Sequence, residues 1–227
     1  MRVATWNVNS IKQRVPRLLP WLDQRRPDVL CVQETKLTDD AFRGCSTSSS
    51  PAAAYAVAHH GEPRWNGVAI LSRARWSAAA RRRMVCGDMN IAPTDADVFD
   101  PDAYLGQTHV TAQERAALAD LAALGLRDVV RHRWPTERVF TYWDYRAGMF
   151  PKDLGMRIDL VLATAPVAGR VRAAWVDRHA RKGSAPSDHA PVVVDLDEAP
   201  DGDIGPVVPP SSAPGARRGA VKLPQAR

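Results

Sequence analysis

The amino-acid sequence predicts an α/β fold that forms one domain. Short apolar runs typical of buried strands recur along the chain, and several of them lie directly beside a polar motif. Segments with the residue pattern of helices separate these runs, and this mixture is consistent with a sandwich of two sheets flanked by helices. A chain of 227 residues is long enough for one sizeable core.

The first half of the chain alternates between predicted strands and helices. Apolar residues at helical spacing run from Ile11 to Leu22, although Pro16 and Pro20 leave the start of this helix open. The predicted strands of this half span residues 2–5, 28–32, 55–58, 68–71 and 84–86. Their order fits a sheet that is backed by helices.

The second half contains the clearest helix signal in the sequence. Thr111 and Glu114 form the pattern of a capping box, and the helix that it opens has one apolar face and ends at Gly125. The residues of that face are Ala117, Leu118, Leu121 and Leu124. Strands are predicted over residues 139–141, 157–163, 170–177 and 191–196.

The end of the chain differs in composition from the rest. From residue 197 to 227 proline and glycine are frequent and large apolar residues are few, so this segment cannot bury enough surface to become ordered. We therefore predict a folded domain over residues 1–196 and a disordered tail over residues 197–227.

The charge of the chain is concentrated in the predicted domain. The net charge is +6, and the predicted tail contains four acidic and four basic side chains, so the whole excess belongs to the domain. A basic domain favours a polyanionic partner because neutralised phosphates release counterions, whereas solubility explains a modest excess nearly as well.

Cysteine usage and hydropathy bear on where the protein acts. Cys31, Cys45 and Cys86 form no C-x-x-C pair, and two of them lie in predicted strands, so we expect reduced core residues. No apolar run approaches transmembrane length, and the first residues lack the pattern of a signal peptide. We expect a cytoplasmic protein with no membrane partner.

Four polar motifs stand at predicted strand ends. They are Trp6-Asn7-Val8-Asn9, Gln33-Glu34-Thr35, Gly87-Asp88-Met89-Asn90 and Ser187-Asp188-His189. They supply oxygen and imidazole donors without a thiolate, which suits Mg²⁺, with Mn²⁺ as a substitute, better than structural zinc. The candidate metal ligands are Asn7, Glu34, Asp88, Asn90, Asp188 and His189. This chemistry indicates metal-assisted attack on a phosphate.

At these motifs the sequence resembles the exonuclease III family of abasic-site endonucleases, part of the deoxyribonuclease-I-like endonuclease/exonuclease/phosphatase superfamily. The resemblance runs through residues 1–36, resumes at 59–61 and 65–69, and holds from 87 to about 196. It includes the strings Thr141-Tyr142-Trp143-Asp144-Tyr145, Met156-Arg157-Ile158-Asp159 and Arg181-Lys182-Gly183. The implied fold is the deoxyribonuclease-I-like sandwich of two sheets flanked by helices.

The resemblance implies roles for the first three motifs. Glu34 is implied as the main metal ligand with Asn7 near it, and Asp88 as the group that orients or deprotonates the attacking water. Asn90 would hold the phosphate or the metal, although an Asx turn after a strand also explains it. For Asn9, a role in the site and a turn-forming role both stay open.

The fourth motif adds a histidine and its partner. Asp159 lies on another predicted strand and can pair with His189, which favours an imidazolium able to stabilise charge on a phosphate oxygen. Asp188 would face the metal. A histidine alone in a turn is more often solvated than catalytic, but the string from Ser187 to Pro191 matches the family and favours the catalytic role.

Two further groups of residues are candidates for contact with DNA. The family uses the positions of Tyr142, Met156 and Ile158 to line a pocket for a flipped abasic sugar, and Trp143 lies beside them; ordinary core packing explains all four as well. Basic residues just before the fourth motif are candidate phosphate contacts, with a solvated loop as the alternative. These are Arg178, Arg181 and Lys182.

The region from 43 to 86 departs from the family. Several dozen residues of the family separate the strand at 67–72 from the one leading into Gly87, and they carry a Tyr-x-Pro-x-Gly motif whose tyrosine faces the scissile phosphate. Residues 73–85 span that gap here without Tyr, Pro or Gly, so this internal segment is missing. Residues 43–54 stand where the family has an amphipathic helix, with a composition that resembles out-of-frame translation.

The resemblance implies a DNA repair enzyme. Such an enzyme hydrolyses the DNA backbone 5′ to an abasic site, leaves a 3′-hydroxyl, and acts on 3′-blocked ends as an exonuclease and phosphatase. We expect a monomer with DNA as its partner and Mg²⁺ as its cofactor.

Two alternatives stay open. One is a catalytically dead or poorly folded remnant, since missing strands expose sheet edges. The other is a superfamily phosphatase acting on inositol phosphates or lipid headgroups.

Overall fold

In a computed structural model of the protein, two β-sheets pack face to face. The structure describes residues 1–44, 54–62, 64, 66–73 and 83–197. The strands are β1 (Arg2–Asn7), β2 (Val29–Gln33), β3 (Ala56–His60), β4 (Val68–Ser72), β5 (Met84–Asp88), β6 (Leu126–Asp128), β7 (Asp159–Thr164), β8 (Ala173–Val176) and β9 (Val192–Asp195). The helices are α1 (Ile11–Arg25), α2 (Asp39–Gly44), α3 (Ala112–Ala123), α4 (Val129–Arg133) and α5 (Ala165–Ala168).

The strand order places the ends of four strands near one another. In the first sheet the order is β3-β4-β2-β1-β9-β8, with β1 parallel to β2 and the other pairs antiparallel. In the second sheet the described strands follow the order β5-β7-β6 and are antiparallel. Across the sandwich, β5 packs on β1 and β2. The predicted two-sheet α/β architecture is therefore confirmed.

Helix α1 covers the outer face of the first sheet. Its buried apolar residues Leu18, Trp21 and Leu22 pack against Trp6 and Leu30 of the sheet. The helix runs without interruption through both prolines, whose positions left its start open in the sequence. Both prolines are exposed, so water can reach the carbonyl groups whose hydrogen bonds the prolines remove.

Helix α3 forms as predicted but does not bury its apolar face. Its capping box is present, with Thr111 Oγ1 accepting from the backbone of Glu114 and the Glu114 carboxylate accepting from the backbone of Thr111. None of its residues is buried, however, and Leu124 after its end is 77% exposed. The spacing of the apolar residues identifies the face of the helix that could pack against the domain. It does not show whether another element lies against that face.

Three predicted strands have different bounds in the structure. Residues 139–141 form no regular strand because the N–H groups of Thr141 and Tyr142 both donate to the carbonyl of Met156, which makes an isolated bridge. The strand predicted over 170–177 begins only at Ala173, since the preceding residues complete the turn after α5. The strand predicted from 157 begins at Asp159, because the N–H of Arg157 donates to Asp97 instead.

Parts of the predicted anomalies lie outside the described residues. These parts are residues 45–53, 63, 65 and 74–82 of the region 43–86, and residues 198–227 of the predicted tail. The division into a domain and a tail therefore stays a prediction. In the part of the chain that the structure describes, no helix is long and apolar enough to cross a membrane.

Candidate active site

The polar motifs meet at one end of the sandwich because of strand register. In the parallel pair β1 and β2, Asn7 stands opposite Gln33, so that Glu34 follows directly beyond the end of the ladder. In the antiparallel pair β5 and β7, Asp88 stands directly opposite Asp159. The Ser187-Asp188-His189 motif lies just before β9, the other neighbour of β1.

The side chain of Asn7 links the two sheets. Its Nδ2 donates to Oε1 of Glu34 at 2.9 Å and to Oδ2 of Asp88 at 2.9 Å. Its Oδ1 accepts a hydrogen bond from the backbone N–H of Asn9 at 2.9 Å, which fixes the orientation of the amide. With both donor positions used, Asn7 holds two carboxylates from different sheets at a defined separation.

Unusual backbone conformations cluster at this end of the sandwich. Asn9, Glu34, Lys36 and Asn90 all have positive φ, between 43° and 56°. Asparagine tolerates this region, but glutamate and lysine adopt it rarely. Strained backbone persists only where the surrounding contacts determine it, and it is concentrated at functional sites.

Asp88 is a carboxylate in an unfavourable electrostatic position. Burial raises its pKa, and the facing charge of Asp159 raises it further. The backbone N–H of Asn90 donates to Asp88 Oδ1 at 2.9 Å, while the Asn90 side chain is exposed. Asn90 therefore contacts Asp88 through its backbone, as in the Asx-turn alternative.

His189 is buried and paired with Asp159 as the sequence predicted. Its Nδ1 lies 2.8 Å from Asp159 Oδ2, and its Nε2 lies 3.7 Å from Asp88 Oδ2. Burial on its own lowers the pKa of His189, but Asp159, Asp88 and Asp188 together raise it to about 9. At neutral pH the side chain is therefore an imidazolium.

Side chains around His189 hold this pair in place. Thr141 Oγ1 accepts from the backbone N–H groups of Ile158 and Asp159, both at 3.1 Å. Ser187 Oγ donates to the carbonyl of Asn7 at 2.7 Å and accepts from the backbone N–H of His189 at 3.2 Å. Thr141 and Ser187 stand inside the predicted motifs, but sequence reasoning gave them no role.

Lys36 is a third residue to which sequence reasoning gave no role. Its Nζ lies 3.0 Å from Glu34 Oε2 and donates to Asn9 Oδ1 at 2.5 Å. Asn9 Nδ2 in turn donates to Asp188 Oδ1 at 3.0 Å. Asn9 thus contacts two residues of the candidate site, and the position of Lys36 two residues after Glu34 is the signal that could have found it.

The donor set fits a divalent cation. Ligand atoms of Asp88, Asp159 and His189 all lie within 4.8 Å of one another. The buried Oδ1 of Asp159 has no hydrogen-bond partner among the described residues. Glu34 adds a half-exposed carboxylate on the other side of Asn7. Buried carboxylates that outnumber their positive partners are typical of sites that bind cations.

The candidate sugar-pocket residues lie together, and all but the partly buried Tyr142 are buried. Tyr142 packs its ring edge against His189, with the centroids 4.9 Å apart, and forms bridges with both Met156 and His189. Met156 and Ile158 belong to one buried cluster against which Tyr142 packs. Trp143 is 0% exposed and donates to Asp153, which favours the core interpretation for this residue.

The candidate phosphate contacts differ in availability. Arg178 pairs with Asp153 at 2.5 Å, and Arg181 is buried and donates to the carbonyl of Trp143 at 3.0 Å. Lys182 is exposed. The two arginines therefore have internal partners, and of the three side chains Lys182 is the most exposed.

Comparison with known proteins identifies the family of the chain. The model of the endonuclease/exonuclease/phosphatase family matches residues 4–189, which include every motif described above. The chain belongs to the endonuclease/exonuclease/phosphatase family. This membership confirms the resemblance, and by homology the chain is a hydrolase of the phosphodiesterase type.

Relatives in this family are similar over most of the chain. Exodeoxyribonuclease III of Haemophilus influenzae is 24% identical over 265 residues, which cover 85% of this chain and 98% of the relative. The alignment is longer than the 227-residue chain itself, so it contains gaps on the side of this chain. Such gaps are expected if an internal segment is missing.

Solved structures match the fold closely. A 3′-5′ exonuclease from Neisseria meningitidis and an AP endonuclease from Archaeoglobus fulgidus each have a TM-score of 0.80 and 28% identity. Each match covers 87% of this chain and 100% of the other. A 3′ phosphatase from Neisseria, bound to a product DNA hairpin, has a TM-score of 0.77 and the same identity.

Proposed function

We propose that the chain is a DNA repair nuclease of the exonuclease III type. It would hydrolyse the DNA backbone 5′ to an abasic site and leave a 3′-hydroxyl, with 3′-exonuclease and 3′-phosphatase activity on blocked ends. One observation carries the proposal. A continuous row of contacts runs from Glu34 through Asn7 and Asp88 to His189 and Asp159, and joins both sheets at one end.

Asp88 is the group that we assign to the attacking water. Its Oδ1 is oriented by the backbone N–H of Asn90, and its Oδ2 by Asn7. Burial and the facing Asp159 raise its pKa, which makes its carboxylate a stronger base than an exposed aspartate. A water beside Asp88 would be aligned for attack on the phosphorus and would lose its proton to this carboxylate.

His189 is assigned to stabilising the charge that develops on phosphate oxygen. Asp159 holds its Nδ1, so Nε2 is the N–H that a phosphate can approach. The pKa of about 9 keeps the ring protonated at neutral pH. An imidazolium has no free lone pair, so this role and the predicted role as a metal ligand exclude each other, and the pairing with Asp159 favours the first.

Glu34, with Asn7 beside it, would hold a divalent cation together with Asp88, and Asp188 faces the same space through Asn9. Mg²⁺ is the cation that this oxygen-rich set favours, with Mn²⁺ as a substitute. A cation bound there supplies Lewis-acid polarisation of the phosphate and stabilises the leaving oxygen.

A basic groove beside the site supports a polyanionic substrate. Its volume is about 610 Å³, and its walls include Asn9, Arg14, Lys36 and Tyr145. Nη2 of Arg14 donates to the hydroxyl of Tyr145 at 2.9 Å, which holds the guanidinium at the wall. With the exposed Lys182, these cations could contact phosphates on a strand that crosses the site. Tyr142, Met156 and Ile158 would form the apolar wall that accepts the abasic sugar.

Cleavage of an abasic oligonucleotide duplex tests this proposal. We expect activity with Mg²⁺ or Mn²⁺ and none in chelator, and loss of about 10²- to 10⁴-fold in Asp88→Asn. Glu34→Gln should lower the affinity for the cation. Asp120→Asn, an exposed change on α3, is the matched control and should retain activity. Full turnover in chelator would remove the metal mechanism, and hydrolysis of inositol phosphates alone would favour the other branch of the family.

An inactive remnant is the second candidate, and the exposed apolar surface favours it. Leu105 is 84% exposed and Leu124 77% exposed, and no residue of α3 is buried. Inserting a family-type segment between Ser72 and Met84 should raise cleavage strongly if this is the defect. A restored chain that folds better but cleaves no faster would place the defect in the metal ligands instead.

A further inference from the structure

We propose that Cys31 and Cys86 form an oxidation site, in which hydrogen peroxide converts the two thiols into a disulfide that joins the sheets behind the active site. Cys31 lies on β2 of the first sheet and Cys86 on β5 of the second. Both are free in the structure and only partly buried. The disulfide itself is independent of the proposed function, while its effect on cleavage rests on it.

The two side chains meet between the sheets. On β2, Leu30 and Val32 belong to the core cluster under α1, so Cys31 between them points to the opposite face, toward the second sheet. Cys86 packs against a cluster that includes Val192 and Val194 of the first sheet. The interaction of each thiol with the other lowers the pKa of Cys31 and raises that of Cys86, as expected for neighbouring thiols.

The strands that carry the thiols approach closely. Pairs of Cα atoms from β2 and β5 lie within 8 Å, and a disulfide requires a Cα separation of about 4.4–6.8 Å. Stacked sheets are usually about 10 Å apart, so this part of the interface is already narrow. The bond forms when the Cα atoms of Cys31 and Cys86 come within this range.

The reaction consumes one equivalent of peroxide. A thiolate of the pair attacks one peroxide oxygen, the O–O bond breaks, and the departing hydroxide takes a proton and leaves as water. The resulting sulfenic acid is attacked by the second thiolate, which forms the S–S bond and releases a second water. Each sulfur loses one electron, and the two peroxide oxygens gain both.

The bond would act on the site because of its position in the chain. Cys86 stands two residues before Asp88, and Cys31 three residues before Glu34. Drawing β2 and β5 together changes the separation of these two carboxylates, which Asn7 holds through hydrogen bonds of 2.9 Å. A site that depends on this geometry should lose activity on oxidation and regain it on reduction.

Mapping disulfides in the peroxide-treated full-length protein tests the proposal. The folded chain is oxidised, the remaining thiols are alkylated in denaturant, and the cross-linked peptides are identified by mass spectrometry. We expect a link between Cys31 and Cys86 in the wild type and in Cys45→Ser, and none in Cys31→Ser or Cys86→Ser. Alanine variants at both positions replace any serine variant that does not fold, and circular dichroism checks the folding of each variant. The same treatment in urea should give far less of this link.

Two results would overturn the proposal. Cys31 and Cys86 could both remain alkylatable after oxidation of the folded protein, or they could pair only with Cys45. An active Cys45→Ser protein that forms the link without losing cleavage would overturn the effect on the site. If no cleavage is found under any condition, the mass spectrum still decides whether the disulfide forms, so the two proposals fail separately.

Discussion

Replacing Asp159 with asparagine should remove the charge that keeps His189 protonated. His189 Nδ1 lies 2.8 Å from Asp159 Oδ2, and both side chains are buried. Burial alone lowers the pKa of His189, and the surrounding carboxylates, Asp159 first among them, raise it to about 9. Asp159→Asn removes the largest contribution that raises the pKa of His189 against the effect of burial. The pKa should therefore fall to about 6.5 or below.

The magnitude follows from the difference between the folded and unfolded pKa values. A pKa of about 9 in the folded protein, against about 6.5 in the unfolded chain, corresponds to roughly 3 kcal/mol. Because the folded value is the higher one, this stabilisation is fully present below about pH 6.5 and is lost as the pH rises through about 9. The variant also relieves the repulsion between Asp159 and Asp88, so roughly 3 kcal/mol is an upper limit.

Urea unfolding of wild type and variant at about pH 6 and about pH 9.5 measures this difference. We expect the variant to be destabilised most at the lower pH, and the gap to shrink at the higher one. Asp195→Asn is the matched control. It breaks a buried pair with Arg2, whose guanidinium stays protonated at both pH values, so its cost should not change. An equal cost of Asp159→Asn at both pH values would refute the reasoning, as would an NMR titration that places His189 near 6.5 in the wild type.

Three further changes test other parts of the structure. Asp97→Ala should cost about 3–5 kcal/mol in urea unfolding, because it removes the carboxylate 2.7 Å from the buried guanidinium of Arg157, which keeps only Asp128 at 2.6 Å, and also releases Arg131; a cost below about 1 kcal/mol would contradict this. Gly67→Ala should lower the melting temperature, since φ is 98° and a Cβ there would lie 2.3 Å from Thr35 Oγ1. Adding Thr35→Ala should recover part of that loss. Deleting the predicted tail should leave the melting temperature and the salt dependence of DNA binding unchanged, and a clear drop in either would count against the prediction of disorder.

The residues of the site were predictable from the sequence because they follow a local rule. An apolar run that ends in a polar residue marks a strand end, and strand ends of one sheet meet at its edge. Asn7 and Glu34 are found this way from two short motifs. The direct opposition of Asp88 and Asp159 could not be predicted, since the register of β5 on β7 depends on how the two strands pack and not on either one alone.

Long polar side chains were predicted less well than strand ends. Arg178 and Arg181 have the composition of a phosphate-binding loop, but in the fold they bind Asp153 and a backbone carbonyl. An arginine can satisfy an internal acceptor or a bound phosphate with the same donors, and the sequence does not distinguish the two. Thr141 and Ser187 were missed for a related reason, because a hydroxyl that orients a neighbour leaves no periodic pattern.

The topology explains why the candidate site residues come together although an internal segment of the chain is missing. The side chains of the candidate site come from the ends of β1, β2, β5 and β7 and from the turn before β9. Within the described residues, β1 pairs with β2 and β9, and β5 pairs with β7. The missing segment lies between β4 and β5, so its loss leaves those registers intact. A low rate of cleavage would have two distinct causes in such a chain, poor folding or a defective site, so unfolding measurements should precede its interpretation.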